Sequence, residues 1–253
     1  MTNHLFITEF IPFFLVACRV IGLFISMPFL SQVEISGRFR LFAALGFAFL
    51  ITPALSLSID VTMNFTTIGI FAIREIFIGF FIGMVGRTLL MIMDIAGSMI
   101  STQIGLSSAT ILNPGFASQG ALTSLIMVLF GTAIFLALDL HHLMFRSLVQ
   151  SYHLFPINKT LMINDITKGY IQLFSTVFWV GVQLSMPFTI AFIVIQVCFG
   201  LMNRMIPQMQ IFFVSLPFQI WAGLTIMLLI GGTMLLSFGK TFDHEFRTFF
   251  SLG

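Results

Sequence analysis

The sequence predicts an all-α protein of kinked hydrophobic helices at a membrane, and three observations predict it. Charged residues make up 8% of the chain and apolar ones 58%, whereas soluble domains carry roughly 25% charged residues. The mean hydropathy of +1.08 leaves little room for a soluble fold. The apolar residues also gather into about six runs close to the roughly 20 residues that a spanning helix needs. The Trp/Tyr belt expected at a bilayer interface is weak, because the 15% aromatic content is almost all Phe.

The first run extends from about Leu5 to Leu30 and is interrupted by Glu9, Pro12 and Arg19. It lacks a basic leader and a small-residue cleavage site, so a retained segment is expected rather than a signal peptide. The second runs from about Leu41 to Ile59, with Pro53 near its end. The third covers about Ile68 to Met93, the fourth Ala121 to Leu140, the fifth Ile171 to Leu201 and the sixth Ile211 to Phe238. Pro187 and Pro217 each remove a helix hydrogen bond and are expected to kink or break the last two. No repeat, low-complexity tract or linker divides residues 1–253, so one domain is expected. If the runs alternate across a membrane, Arg74, Arg146, Lys159, Lys168, Lys240 and Arg247 fall on one side and Arg38, Arg40 and Arg204 on the other. That favours a cytoplasmic N-terminus.

The stretch Gly97–Gly120, GSMISTQIGLSSATILNPGFASQG, lies between apolar runs yet is small, polar and uncharged. Asn113-Pro114-Gly115 within it is a turn signal. In a membrane protein, irregular backbone is tolerated at depth only where protein buries it or it lines a watery cavity. Composition leaves two readings open: a plug in a passage, or a neutral surface loop.

Arg19 falls in the middle of the first run. A central Arg costs roughly 2.5–3.5 kcal/mol on insertion scales, so it should face protein or water instead of lipid. Arg74 and Glu75 are sequence neighbours and do not face each other on a helix. Arg87 and Asp94 lie two turns apart on one face, where they would share a polar track or meet a partner. For all of these the plain alternative is a polar contact between helices. Gly79-Phe-Phe-Ile-Gly83, extended by Gly86, has the spacing that lets two helix backbones approach, a weak signal in a chain with 20 glycines. Gln183, Gln196 and Gln219 are able to bond across helices without charge. Most of the 16 methionines suit core filling. Cys18 and Cys198 both sit in apolar runs and are expected to be buried free thiols.

No enzyme motif is present: no HExxH, CxxC, GxSxG, Walker or Rossmann glycine pattern occurs. His141 and His142 are adjacent, so on a helix they point about 100° apart and make a poor metal pair. No catalytic residue, metal or cofactor is expected. A net charge of +2 and the lack of basic motifs argue against nucleic acid. A proton-coupled secondary transporter is the physical rival, with Glu75 and Asp94 as the plausible proton carriers.

Several stretches resemble the FliR family of flagellar type III export-gate proteins and their SctT relatives in injectisomes. They are Ile104-Gly105-Leu106-Ser107-Ser108-Ala109-Thr110 with Asn113-Pro114, then Leu138-Asp139-Leu140-His141-His142-Leu143. The most specific is Gly200-Leu201-Met202-Asn203-Arg204-Met205-Ile206-Pro207-Gln208 with Phe212-Phe213-Val214-Ser215-Leu216-Pro217. Arg19-Val20-Ile21-Gly22, Pro28 and Arg38/Arg40 are similar to the family's N-terminal pattern. The resemblance spans nearly the whole chain in order.

Membership implies a non-enzymatic core subunit of the export gate, a single copy packed with FliP-like and FliQ-like subunits in a helical hetero-oligomeric ring. Its tilted helical hairpins would be FliP-like over about 1–165 and FliQ-like over about 166–253. It would help to form the channel for unfolded export substrates at the flagellar basal body in the cytoplasmic membrane, with a FlhB-like switch protein at the cytoplasmic opening. The resemblance maps the plug loop onto about Gly105–Gly120, with Gly105, Leu106, Ser107, Ser108, Ala109, Thr110, Ile111, Leu112, Asn113, Pro114, Gly115 and Phe116 as its pore plug residues. Assembly and helix-break roles would fall to Arg19, Glu75, Arg87, Pro187, Asn203, Arg204, Pro207, Gln208 and Pro217. The chain departs from the pattern at Ser108, where many members place an aromatic, and in its His141-His142 pair, which replaces a commoner single His.

Overall fold

A computed structural model describes residues 2–29, 36–55, 65–105, 122–157, 163–205 and 211–251. These residues form seven long helices and no strand: α1 (Thr2–Ser26), α2 (Gly37–Leu55), α3 (Phe65–Ile104), α4 (Leu122–Ala137), α5 (Leu140–Leu154), α6 (Ile163–Met205) and α7 (Ile211–Ser251). Among them α3, α6 and α7 are long and apolar enough to cross a membrane, with a fourth span if α4 and α5 are taken as one broken crossing.

The helices depart from the expected runs in four ways. Of the kink or break expected at each proline, no break occurs: continuous helix runs through Pro187 in α6 and Pro217 in α7. In an apolar setting the neighbouring backbone groups have no partner outside the ladder, which keeps the helix going on both sides of one lost bond. The third run continues to Ile104, which makes helix of Gly97 through Gln103. Their hydroxyls are absorbed locally: Ser98 donates to the Ile95 carbonyl at 2.8 Å and Thr102 to that of Ser98 at 3.0 Å. The fourth run stops at Ala137, and α5 follows it. This helix was missed because its apolar residues form a stripe and not a run. Leu140, Met144, Ser147, Leu148, Ser151 and Tyr152 are its buried face, at helical spacing. Finally, α7 extends 13 residues past Phe238, to Ser251. Phe238, Phe242, Phe246 and Phe250 recur every fourth residue and are all buried, while charged residues fill the turns between them.

The chain divides into two compact units. The first comprises residues 1–88, 139–170 and 245–253. Here α1 packs on α2 and meets the first half of α3 at backbone contact. A Cβ added to Gly79 would strike the Arg19 carbonyl, one on Gly83 would strike Ser26, and one on Gly22 would strike the Ile76 carbonyl. The Gly79/Gly83 spacing is therefore a true close approach between helices. Phe24, Phe47 and Phe145 close the remaining space, with Phe47 and Phe145 centroids 4.5 Å apart.

Gly79→Leu is expected to force these helices apart at a cost on the order of 3 kcal/mol, read as a lower melting temperature in detergent. A variant melting with the parent would show that the contact yields freely.

The second unit comprises residues 89–138 and 171–244. Gly97 meets Ser124 and Met127 of α4, Gly131 meets Met93, Gly181 meets Ile95, and Gly223 meets Ile104 and Phe192. Small residues on four helices thus bring α3, α4, α6 and α7 together. Phe135 and Phe242 pack edge to face at 5.2 Å.

Candidate functional site

The most highly organised polar site lies in the first unit around Arg19. This guanidinium is fully buried, between the buried neighbours Cys18 and Val20 of α1. Its Nε donates to Glu75 Oε2 at 2.5 Å and its Nη2 to Oε1 at 2.9 Å, a bidentate pair in which both side chains are wholly enclosed. Nη1 donates to Ser151 Oγ at 2.9 Å, and Ser151 passes its own proton to the Leu148 carbonyl at 2.6 Å. Nη2 also reaches the Phe155 carbonyl at 3.1 Å. The Tyr152 ring lies 3.7 Å from the guanidinium carbon and supplies a cation–π face.

Arg74, next to Glu75 on α3, completes the arrangement. It donates to the carbonyls of Pro156 and Ile157 at 3.0 and 2.9 Å. Three successive carbonyls after α5, which have no helical partner of their own, are thus taken by two arginines. Arg74 and Glu75 do not pair, as their adjacency predicts; Glu75 turns to α1 instead. The carboxylate that was the first candidate proton carrier is occupied on both oxygens. Asp94, the second, is exposed and accepts a hydrogen bond from Ser124 Oγ.

The other named residues fall at separate places. Arg87 is exposed on α3. Pro187 is half-buried within α6 and Pro217 exposed within α7. Asn203 and Arg204 are exposed in the last turn of α6, and Pro207 and Gln208 lie outside the described residues. Cys18 is buried, but Cys198 is exposed on α6; an apolar run specifies an apolar neighbourhood, which on an outward helix face is not the protein interior.

Of the expected plug, Gly105 is described and Leu106 to Phe116 lie outside the described residues. Gly105 ends α3 with a positive φ of 81°, and its N–H returns to the Thr102 carbonyl at 3.2 Å. A Cβ there would lie 2.9 Å from Gln219 Oε1 and 3.4 Å from Leu216 Cδ2. Conformation and space both call for glycine at the point where this stretch leaves the helix.

Sequence reasoning missed Ser151, Tyr152 and the Phe155 carbonyl, because the helix that carries them was not anticipated. The spacing of its buried residues was the available signal.

Compared with known proteins, residues 10–245 match the family described as bacterial export proteins, family 1. This chain belongs to that family. It is similar to the flagellar biosynthetic protein FliR of Caulobacter vibrioides, 32% identical over 85% of this chain and 86% of that protein. It also matches FliR of Aquifex aeolicus, 27% identical over 91% of this chain and 89% of the relative. The secretion system apparatus protein SsaT of Salmonella typhimurium is 28% identical over 67% of this chain and 63% of its own length. The FliR resemblance drawn from short motifs is thereby established. For a member of this export family, the Arg19–Glu75 site is an internal clamp: it holds α1, α3 and the segment after α5, and offers no carboxylate to a substrate.

Proposed function

We propose that the chain is a non-enzymatic core subunit of the flagellar type III protein export gate and forms part of the passage for unfolded flagellar substrates. The observation that carries this reading is the family match over residues 10–245. The surface supports it. Ile190, Ile193, Val194, Val197 and Leu201 form an exposed stripe on α6, and Trp221, Leu224, Leu228 and Leu229 another on α7. An apolar surface this continuous calls for lipid or sister subunits around it.

In this proposal the chain enters a hetero-complex as a single copy with FliP-like and FliQ-like subunits, its residues 1–165 built like the former and 166–253 like the latter. The complex sits in the cytoplasmic membrane at the basal body and meets a FlhB-like switch protein. Residues at about 105–120 serve as the plug loop, and their lack of charge suits them to release a passing chain of either sign. Arg204, Asn203 and Gln208 position the α6–α7 hairpin against neighbouring subunits. The SsaT match supports an injectisome gate as the second reading; the FliR matches, which extend over more of this chain, favour the flagellar one.

Native mass spectrometry of the tagged chain, co-expressed with its FliP-like and FliQ-like neighbours, tests the assembly. One copy in a discrete hetero-complex is expected. Recovery as a lone monomer or homodimer, with both neighbours expressed but unbound, overturns it.

A further inference from the structure

We propose that Asp139, His141 and His142 form a binding site for a divalent transition-metal ion of the zinc type. All three belong to the first unit, at the start of α5, and one donor atom from each lies within 4.8 Å of the others. Asp139 Oδ1 is 3.5 Å from His142 Nδ1 and 4.0 Å from His141 Nε2.

Helix geometry alone directs adjacent side chains about 100° apart, yet these rings stand with centroids 4.2 Å apart and planes inclined by 34°. The backbone at Asp139 prepares the arrangement. It is the one non-glycine residue at positive φ among the described residues, at φ 55° and ψ 26°, a conformation for which Asp is favoured over most residues. Asp139 holds the N-cap position, where a carboxylate ordinarily accepts an N–H from the first turn. It makes no such side-chain bond. The carboxylate is turned toward the two imidazoles instead.

The chemistry and dimensions suit zinc. Metal–ligand bonds of about 2.0–2.1 Å in a tetrahedron separate neighbouring donors by about 3.3 Å. The donors now stand at 3.5 and 4.0 Å from Asp139 Oδ1, and all three within 4.8 Å of one another, so the site has to tighten by up to about 1.5 Å to take the ion. Two imidazoles and a carboxylate are a donor set for borderline metals and not for magnesium or calcium. The exposed Asp139 and His142 leave a path for the ion and a place for water as fourth ligand. His141 is more enclosed and stands edge-on to Phe145. Its Nδ1 has no hydrogen-bond partner among the described residues.

The test uses the full chain in detergent, free of any His tag and stripped by chelator. Zinc is titrated by calorimetry, and cobalt by visible absorption. Saturable uptake of one ion per chain and tetrahedral cobalt bands are expected. Asp139→Asn and His142→Ala should each weaken binding by about tenfold or more, with the melting temperature of the metal-free chain unchanged. His142→Gln, which keeps the side chain polar, should weaken binding with them, and His153→Ala should not. Absence of saturable uptake up to about 1 mM metal overturns the proposal. So does uptake that survives Asp139→Asn and His142→Ala, which would place the ion elsewhere on the chain.

Discussion

Glu75→Ala is expected to destabilise the chain by ~3–5 kcal/mol, because it leaves the Arg19 guanidinium buried without its counter-charge. Arg19 sits fully enclosed in an apolar helix, and two of its four hydrogen bonds end on Glu75. The remaining partners, Ser151 Oγ and the Phe155 carbonyl, carry no formal charge. For a chain of this size the loss corresponds to a fall in melting temperature on the order of 10 °C, measurable in detergent together with the cellular level of the protein. Replacing both partners, Arg19→Met with Glu75→Leu, should restore much of the stability, since the cost belongs to the orphaned charge more than to the missing attraction. Should Glu75→Ala melt within about 2 °C of the parent, the buried pair is not what holds α1 to α3.

Deleting Ser107–Ser118 is expected to make the membrane permeable to small solutes while the hetero-complex still assembles. The proposed plug supplies the reason. Closure of a pore by packed side chains depends on filling it, and removing twelve small and apolar residues leaves water a continuous path. The effect should be large and visible as growth inhibition, or as dye and ion leakage in cells expressing the complex. Unchanged permeability alongside normal complex yield would falsify the plug assignment. Because Gly105 ends α3 before the deleted stretch and packs near Gln219, the deletion spares the root of the segment.

The character of the chain was legible in its residues. Low charge and apolar runs specify hydrophobic helices, since a buried backbone in an apolar setting must satisfy itself. The Gly79/Gly83 spacing pointed to a close helix pair, and α1 fills that place. The ordered set of motifs pointed to the export family. What escaped were features that depend on faces, not on runs: α5, whose buried stripe is diluted by His, Arg and Gln, and the end of α7, where a buried Phe ladder hides among charges. Both defeat a hydropathy window while keeping a helical period.

The class, the family and the need for Arg19 to avoid lipid could be read from residue order, because these follow from transfer free energy and the succession of motifs. The partner of Arg19 came from long-range packing. Glu75 lies 56 positions away, Ser151 132 and Phe155 136; no local rule connects them. The same holds for Asp139, at whose left-handed position one carboxylate stands near two histidines that helix geometry directs apart. Covalent order sets what each residue requires, and long-range packing sets which other residue supplies it.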